Sequence, residues 1–285
     1  MSKALDELVS SLSLERLEEN LFRGVVADTT VKRVYGGKVL GEAIMAAQHT
    51  AESDRSVHSI HAYFLREADA FNPIIYDVER SRDGRSFSAR RVTAIQYGRP
   101  IFIMEASFHK QEDGMEYQAP MADIPAPSKL TKVSFETSKV EEAPPKIQRM
   151  RNIAAPFEIR PLENPSDDDK STRRIWVKTI DSLPDDASLH RTIMAYVSDF
   201  GLLWTVIASK GYKISNDDLM LASLDHAMWF HRPFRIDEWL LYECEAVSAA
   251  SARGLAKGAF YTEQGELVCT VMQEGLIRLL ERDAD

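Results

Sequence analysis

Residues 36–50 read GGKVLGEAIMAAQHT, and the fold follows from what this stretch becomes. Leu40, Ala43, Ile44 and Ala47 recur at i, i+3, i+4 and i+7, which predicts a helix with one apolar face. Strand-like segments follow at 57–66 (VHSIHAYFLR), 74–80 (IIYDVER), 87–97 (FSARRVTAIQY) and 101–109 (IFIMEASFH). Gly98 with Pro100 predicts a hairpin turn between the last two. One long helix is thus followed by four antiparallel strands.

The same order recurs downstream. Leu189, Ile193, Val197, Phe200, Trp204 and Ile207 predict a helix over 189–208. Strands follow near 220–231, 239–247, 252–262 and 266–277, with Glu263-Gln264-Gly265 as the last turn. His61-Ala62-Tyr63-Phe64 parallels His226-Ala227-Met228-Trp229, and Ser88-Ala89-Arg90 parallels Ser251-Ala252-Arg253. Order plus spacing indicates a duplicated unit of about 110 residues. The expected fold class is α+β, a helix covering one face of a curved antiparallel sheet, made twice. Expected boundaries are 1–112 for the first unit, 113–153 for a linker and 154–285 for the second. The linker region is polar and, over 111–153, holds five of the twelve prolines. Two fused copies give the pseudo-two-fold that other chains reach by dimerising.

Composition excludes several function classes. A net charge of −9 over 285 residues argues against non-specific nucleic-acid binding, which needs an excess of Lys and Arg to displace counterions. Cys244 and Cys269 form no C-x-x-C pair and point to a reducing compartment. The opening MSKALDELVSSLSLERL has no unbroken apolar core, so no signal peptide is expected. No run approaches the ~18 apolar residues of a membrane span. The closing ERDAD is not an S-K-L peroxisomal address, and a cytoplasmic protein is expected.

Standard catalytic motifs are missing. There is no G-x-S-x-G, no G-x-G-x-x-G after a strand and no H-E-x-x-H. Gly36 and Gly41 have P-loop spacing, but Glu42-Ala43 follow where Lys and Ser/Thr are required. In LASLDHAMWFHRPFRIDEW (221–239), strand alternation sends His226 and His231 to opposite faces, so no metal site is expected. Asp225 and His226 read as framework, an Asp bonding backbone and a packed His. Asp199, in AYVSDFGLLW, either caps a helix or works, and Gly201 permits a break beside it. Gln273, in LVCTVMQEGL, shares an apolar strand face with Leu267, Cys269, Val271 and Gly275, where an amide needs partners. Spacing alone leaves both residues open.

DHAMWFHRPFRIDEWLLYE and SAASARGLAKGAFYTEQGELVCTVMQEGLIR, together with ENLFRG (19–24), RVYGGKVLGEAI (33–44) and SIHAYFLR (59–66), resemble the acyl-CoA thioesterase II family, the double-hotdog thioesterases of bacteria and peroxisomes. The resemblance implies a duplicated hotdog fold and hydrolysis of acyl-CoA to fatty acid and CoA. It also implies a water held and activated by Asp199, Ser223 and Gln273. Only the second copy holds this set, so one site per chain is expected. No cofactor and no metal are implied. Direct attack by water is the expected chemistry, with Asp199 as general base and oxyanion donors near Gly36 and Gly37 or at Asp199-Phe200. An acyl-Asp intermediate is the competing route. Candidate cations for the CoA phosphates are Arg90, Arg91, Arg232, Arg253 and Lys257, and the acyl chain is expected in an apolar slot between helix and sheet. The alternatives are a non-catalytic acyl-CoA-binding sensor and a hotdog enoyl-CoA hydratase, whose D-x4-H spacing is met by Asp185 and His190. The expected partners are acyl-CoA and further copies of the chain, as homodimer or homotetramer, with no nucleic acid and no membrane.

Overall fold

The computed structural model describes residues 1–26, 32–133, 145–162, 170–212 and 219–280. The first unit runs α1 (Lys3–Leu12), β1 (Leu14–Glu18), β2 (Leu21–Gly24), α2 (Gly36–Gln48), β3 (Arg55–Phe64), β4 (Ile75–Asp83), β5 (Phe87–Gln96) and β6 (Arg99–Lys110). A short 3-10 turn and α3 (Pro145–Ala154) follow. The second unit runs β7 (Phe157–Pro161), β8 (Thr172–Thr179), α4 (Ala187–Ser198), α5 (Leu202–Ser209), β9 (Leu219–Ser223), β10 (Asp225–Phe230), β11 (Leu240–Ala250), β12 (Arg253–Thr262) and β13 (Leu267–Leu279).

All these strands join one antiparallel sheet. Its order is β1-β2-β4-β5-β6-β3-β10-β13-β12-β11-β8-β7, with β9 paired to β13. Outward from the β3–β10 seam, the two halves follow the same path. The seam is antiparallel and sets Ala227 opposite His61, so the duplication closes into one sheet about a pseudo-two-fold. The helices α2 and α4 pack against each other over one sheet face, burying Leu40, Ile44, Ile193 and Met194 with Val92, Ala94 and Met104. Their approach requires small residues, since a Cβ on Gly37 would lie 2.3 Å from the Tyr196 carbonyl oxygen.

Four expectations are corrected. The helix over 189–208 is two helices, parted at Asp199–Gly201, where Gly201 takes φ 85°, the left-handed region that glycine enters without steric cost. Although Ala187–Ser209 is long and apolar enough to cross a bilayer, it is mostly buried inside the protein, and packing accounts for its apolarity. The strand over 220–231 is broken at Leu224 into β9 and β10.

The two sequence parallels are also out of register. His61 is exposed while His226 is 0% exposed, so the equivalence of HAYF with HAMW is off by a residue. His61 instead sits edge-on to Trp229, ring centroids 5.2 Å apart. Arg85-Ser86 and Ser251-Ala252 form the matching tight turns. Counting from them puts Arg90, opposite Ala106, in the place of Ala256, opposite Gln273.

The polar linker is not loose throughout. Gln118 bonds the Gly265 carbonyl and the Leu267 N–H, and Trp176 Nε1 donates to the Pro125 carbonyl at 3.0 Å. Met121, Ile124 and Leu130 cover Trp176, Leu241 and Tyr261 on the outer face of the second unit. Pro144 and the closing ERDAD lie outside the described residues.

Arg90 is 1% exposed. Its guanidinium is saturated by Thr50 Oγ1 (2.9 Å), the carbonyls of Thr50 (3.0 Å), Arg82 (3.1 Å) and Ala89 (2.8 Å), and Asp83 Oδ1 (2.7 Å). It is therefore a structural plug and not a ligand for substrate phosphates. Removing one partner of such a set strands the others, so Arg90→Ala lowers folding stability by about 3 kcal/mol while leaving KM unchanged. Urea midpoints and steady-state kinetics on the folded fraction check this.

Candidate active site

The three residues singled out in the second unit meet, although they are far apart in sequence. Asp199 closes α4 as its C-cap residue. It does not cap its own helix or the next one, where Gly201 is the N-cap and makes no side-chain bond. Its Oδ2 accepts the N–H of Gly37 at 3.0 Å, in the first turn of α2. The carboxylate thus caps the helix of the opposite unit, with the positive end of that helix dipole beside it. A Cβ on Gly36 would stand 2.8 Å from Asp199 Oδ2, so a glycine is needed for this approach. The Gly36 N–H has no partner among the described residues.

Gln273 reaches Asp199 from β13. It is 1% exposed, and its Nε2 donates to Asp199 Oδ1 at 2.6 Å and to Ser223 Oγ at 2.9 Å, while its Oε1 has no partner among the described residues. Ser223 Oγ completes the triangle with a longer contact to Asp199 Oδ1 at 3.4 Å.

Ser223 arrives through the break at Leu224. Ala227 pairs with Met272, whereas Ser223 pairs with Gly275, so four residues on one strand match three on the other. A one-residue slip turns a side chain to the other face. Unbroken alternation places Ser223 with Trp229 on the outer face; the slip turns it inward. Leu224 holds the slip, donating to the Glu274 carbonyl at 3.0 Å and accepting from Phe64 N–H at 2.9 Å.

The neighbours Asp225 and His226 are framework, as read from the sequence. Asp225 Oδ1 accepts the Glu274 N–H at 2.7 Å. His226 Nε2 meets Ser198 Oγ at 2.9 Å, and that hydroxyl donates to the Ala195 carbonyl at 2.9 Å. His226 Nε2 is therefore the donor. Burial pushes its pKa down to about 3, so the ring is neutral. Tyr242 adds a bond to the Ser198 carbonyl at 2.6 Å, fixing the end of α4 that carries Asp199.

Two cavities meet at Asp199 and Ser223. One, of about 210 Å³, is lined by Met150, Ile153, Leu203, Trp204 and Leu221 beside Asp199, Ser223 and Gln273. The other, of about 370 Å³, is lined by Gly36, Phe64, Leu65, Ile101 and Phe102 beside Asp199 and Ser223, with Arg33, Arg66 and Glu67. Both lie between helix and sheet.

The cations expected to bind phosphate do not line these cavities. Arg91 pairs with Glu105 at 3.0 Å, Arg253 with Glu274 at 2.9 Å and Lys257 with Glu245 at 3.9 Å. Arg232 bonds the Leu267 carbonyl at 3.1 Å and approaches Glu116 at 3.8 Å. The cations that do line them are Arg33, Arg66 and Arg149. Arg33 was legible as the first residue of RVYGG; Arg149, on the supposed linker, gave no signal.

The Asp185–His190 pair does not form a site. Asp185 is fully exposed and bonds Arg235, while His190 is buried and its Nδ1 accepts the Ile236 N–H at 3.2 Å. Both lie at the end of α4 remote from Asp199. Among the described residues no three His, Cys, Asp or Glu side chains converge to hold a metal.

A chain whose duplicated helix-and-sheet units meet edge to edge, with a carboxylate, a hydroxyl and an amide around a cleft between them, has the architecture of a double-hotdog hydrolase. Comparison with known proteins agrees. The family model described as acyl-CoA thioesterase matches residues 151–276, and the one described as acyl-CoA thioesterase N-terminal domain matches 26–109. Acyl-CoA thioesterase 2 of Haemophilus influenzae is 38% identical, with 99% of this chain and 100% of that protein covered. Human acyl-coenzyme A thioesterase 8 is 38% identical over 94% of this chain and 88% of that protein. Among solved structures, an acyl-CoA thioesterase II from Mycobacterium marinum superposes with TM-score 0.81 and 39% identity, covering 96% of this chain and 98% of that one. A protein from Alicyclobacillus acidocaldarius described as having a hot dog fold, 17% identical, gives TM-score 0.78 over 99% and 100% of the two chains, a likeness of fold. The chain belongs to the acyl-CoA thioesterase family.

Burial pushes the Asp199 carboxyl up to about 6, against the hydrogen bonds from Gln273, Gly37 and Ser223 and the positive charge of Arg149, which lower it. A base with that pKa is ionised above pH 6 and protonated below it. The rate with any substrate that needs the ionised form therefore falls about tenfold per pH unit below an apparent pKa near 6. A kcat/KM profile checks this; a flat profile through that region removes Asp199 as the titrating base.

Proposed function

We propose that this chain hydrolyses acyl-CoA thioesters by direct attack of water, with Asp199 as general base and Ser223 and Gln273 orienting the water. The single observation that carries the reading is the convergence of Asp199 Oδ1, Ser223 Oγ and Gln273 Nε2, with spacings of 2.6 to 3.4 Å, on a cleft between the units. A thioester carbonyl is strongly electrophilic and a thiolate leaves readily, so no covalent nucleophile is required. Water forms the new C–O bond and gives its proton to Asp199. The carbonyl electron pair moves to oxygen, facing the Gly36 N–H at the helix N-terminus. Collapse then breaks the C–S bond, and the departing thiolate takes up the proton. Asp199 Oδ1 needs the Gln273 bond to stay in place, and the unpartnered Gln273 Oε1 offers the water an acceptor.

The smaller, more apolar cavity suits the acyl chain, and the one rimmed by Arg33 and Arg66 suits the CoA side. A sensor needs only those cavities; the water-holding set supports the enzyme instead. The hydratase reading finds no support in the separated Asp185 and His190. One site per chain is favoured, because Ala106 and the Arg90 plug occupy the equivalent place in the first unit. Self-association as homodimer or homotetramer belongs to the same reading, and two buried free thiols are in keeping with a cytoplasmic location.

The test is release of free thiol from short, medium and long acyl-CoA. Wild type is expected to cleave at least one, and Asp199→Asn to lose ~10²–10⁴ in kcat with folding intact. Because Asn also removes a desolvated charge, its melting temperature above pH 6 is expected to match or exceed wild type. Single turnover in H₂¹⁸O separates the two routes. Label in the fatty acid alone supports direct attack; label in Asp199 establishes the acyl-Asp intermediate.

A further inference from the structure

Arg149, on α3, lines both cavities that contain Asp199 and also a third, of about 410 Å³, between α1, α2 and α3. Its Nη2 donates to the Val34 carbonyl at 3.2 Å, which pins the guanidinium beside the Tyr35–Gly36 entry to α2. That is its only hydrogen bond among the described residues, and no carboxylate there comes within ion-pair distance. A half-buried guanidinium with one neutral partner is costly unless charge of opposite sign arrives. The ionisable groups around it are Asp199, Tyr35 and Tyr196, with Arg33 as the like charge.

We propose that Arg149 is a further catalytic residue, the cation that faces the thioester and stabilises negative charge as it leaves Asp199. The assignment rests on the proposed role of Asp199. When water attacks, its proton passes to Asp199, and one negative charge moves from that carboxylate to the carbonyl oxygen. When the C–S bond breaks, the charge moves to sulfur. A thioester presented to Asp199 would place both atoms in the cavities that Arg149 also lines, whereas the resting carboxylate is not ion-paired with it. On this reading charge leaves the carboxylate for atoms in the cavities the guanidinium lines, and an interaction that strengthens in the transition state raises kcat. The same cation also opposes the effect of burial on Asp199, so its loss has a second signature, a shift in the pH profile. The helix that brings it lies in what composition reads as a linker, so the link between the units supplies part of the site.

Arg149→Met and Arg149→Lys in the full chain, assayed for thiol release from an acyl-CoA cleaved by wild type, test this. Met is expected to lower kcat by roughly 10–10²-fold with KM changed less than about threefold. It is also expected to move the acid limb to higher pH, and Lys to restore most of both. An unchanged kcat and unchanged acid limb in Met overturn the proposal and leave Arg149 as cavity wall. Should Met unsettle α3, as read by limited proteolysis, Arg149→Gln, which keeps a donor for Val34, is read instead, and an unchanged kcat there is equally fatal. Asp199→Asn in the same assay separates the two assignments. If Asn keeps the wild-type rate, the base assignment fails and the charge path drawn for Arg149 falls with it; if Asn loses the rate while Met keeps it, the base assignment stands and only that of Arg149 is overturned.

Discussion

The bond from the Gly37 N–H to the Asp199 carboxylate joins the two units at the point where chemistry is placed. It links the first turn of α2 to the last residue of α4's cap, and so exists only when both helices pack at the observed distance. That distance depends on glycine, because a Cβ at Gly37 would meet the Tyr196 backbone. The site is thus a consequence of the pseudo-two-fold. Neither unit alone holds the N-terminus of α2, the carboxylate of Asp199 and the amide of Gln273 together.

The same arrangement sets the electrostatics. Burial favours the neutral carboxyl, while three hydrogen bonds and the positive end of α2 favour the ionised one. Their balance leaves the group near neutrality, where a general base combines a useful ionised fraction with useful proton affinity. A fully solvated Asp would be too weak a base at neutral pH. A fully desolvated one without donors would stay protonated. His226, bonded to Ser198 beside Asp199 in the chain, meets the same burial without groups that favour its charged form and remains neutral; difference in partners, not in burial, separates a working group from a framework one.

Much of this was legible in the residues. Helical periodicity over 36–50, the alternating strands after it and their recurrence give the duplicated α+β plan, and the apolar setting of Asp199 and Gln273 marks them as unusual. Residue parallels were less reliable than element order. HAYF and HAMW look equivalent, yet one histidine is exposed and the other buried, because strand register is set by pairing and face, not by local identity. Ser223 illustrates the same limit. Its inward orientation comes from a slip against β13 at Leu224, a long-range pairing that alternation along one segment does not contain. The break between α4 and α5 was foreshadowed by Gly201, but helical spacing continues through it and hides it. Charge told least, since Arg90, Arg91 and Arg149 carry the same side chain and only packing distinguishes plug, surface and cavity.

Duplication explains why such different fates are tolerated. In a symmetric pair, any residue placed in one half-site appears in both, so a change that seals the cleft abolishes both sites. Fusion removes that constraint. In the second unit Gln273 keeps a small residue, Ala256, across the strand pair, and the space above it remains open to Asp199. In the first unit the small residue is Ala106 and its partner is Arg90, whose five hydrogen bonds fill the corresponding space and tie Thr50 to the sheet. The sealed half contributes rigidity to α2, and α2 contributes the N-terminus that Asp199 caps. One half-site is structural so that the other can hold a partly desolvated carboxylate in place.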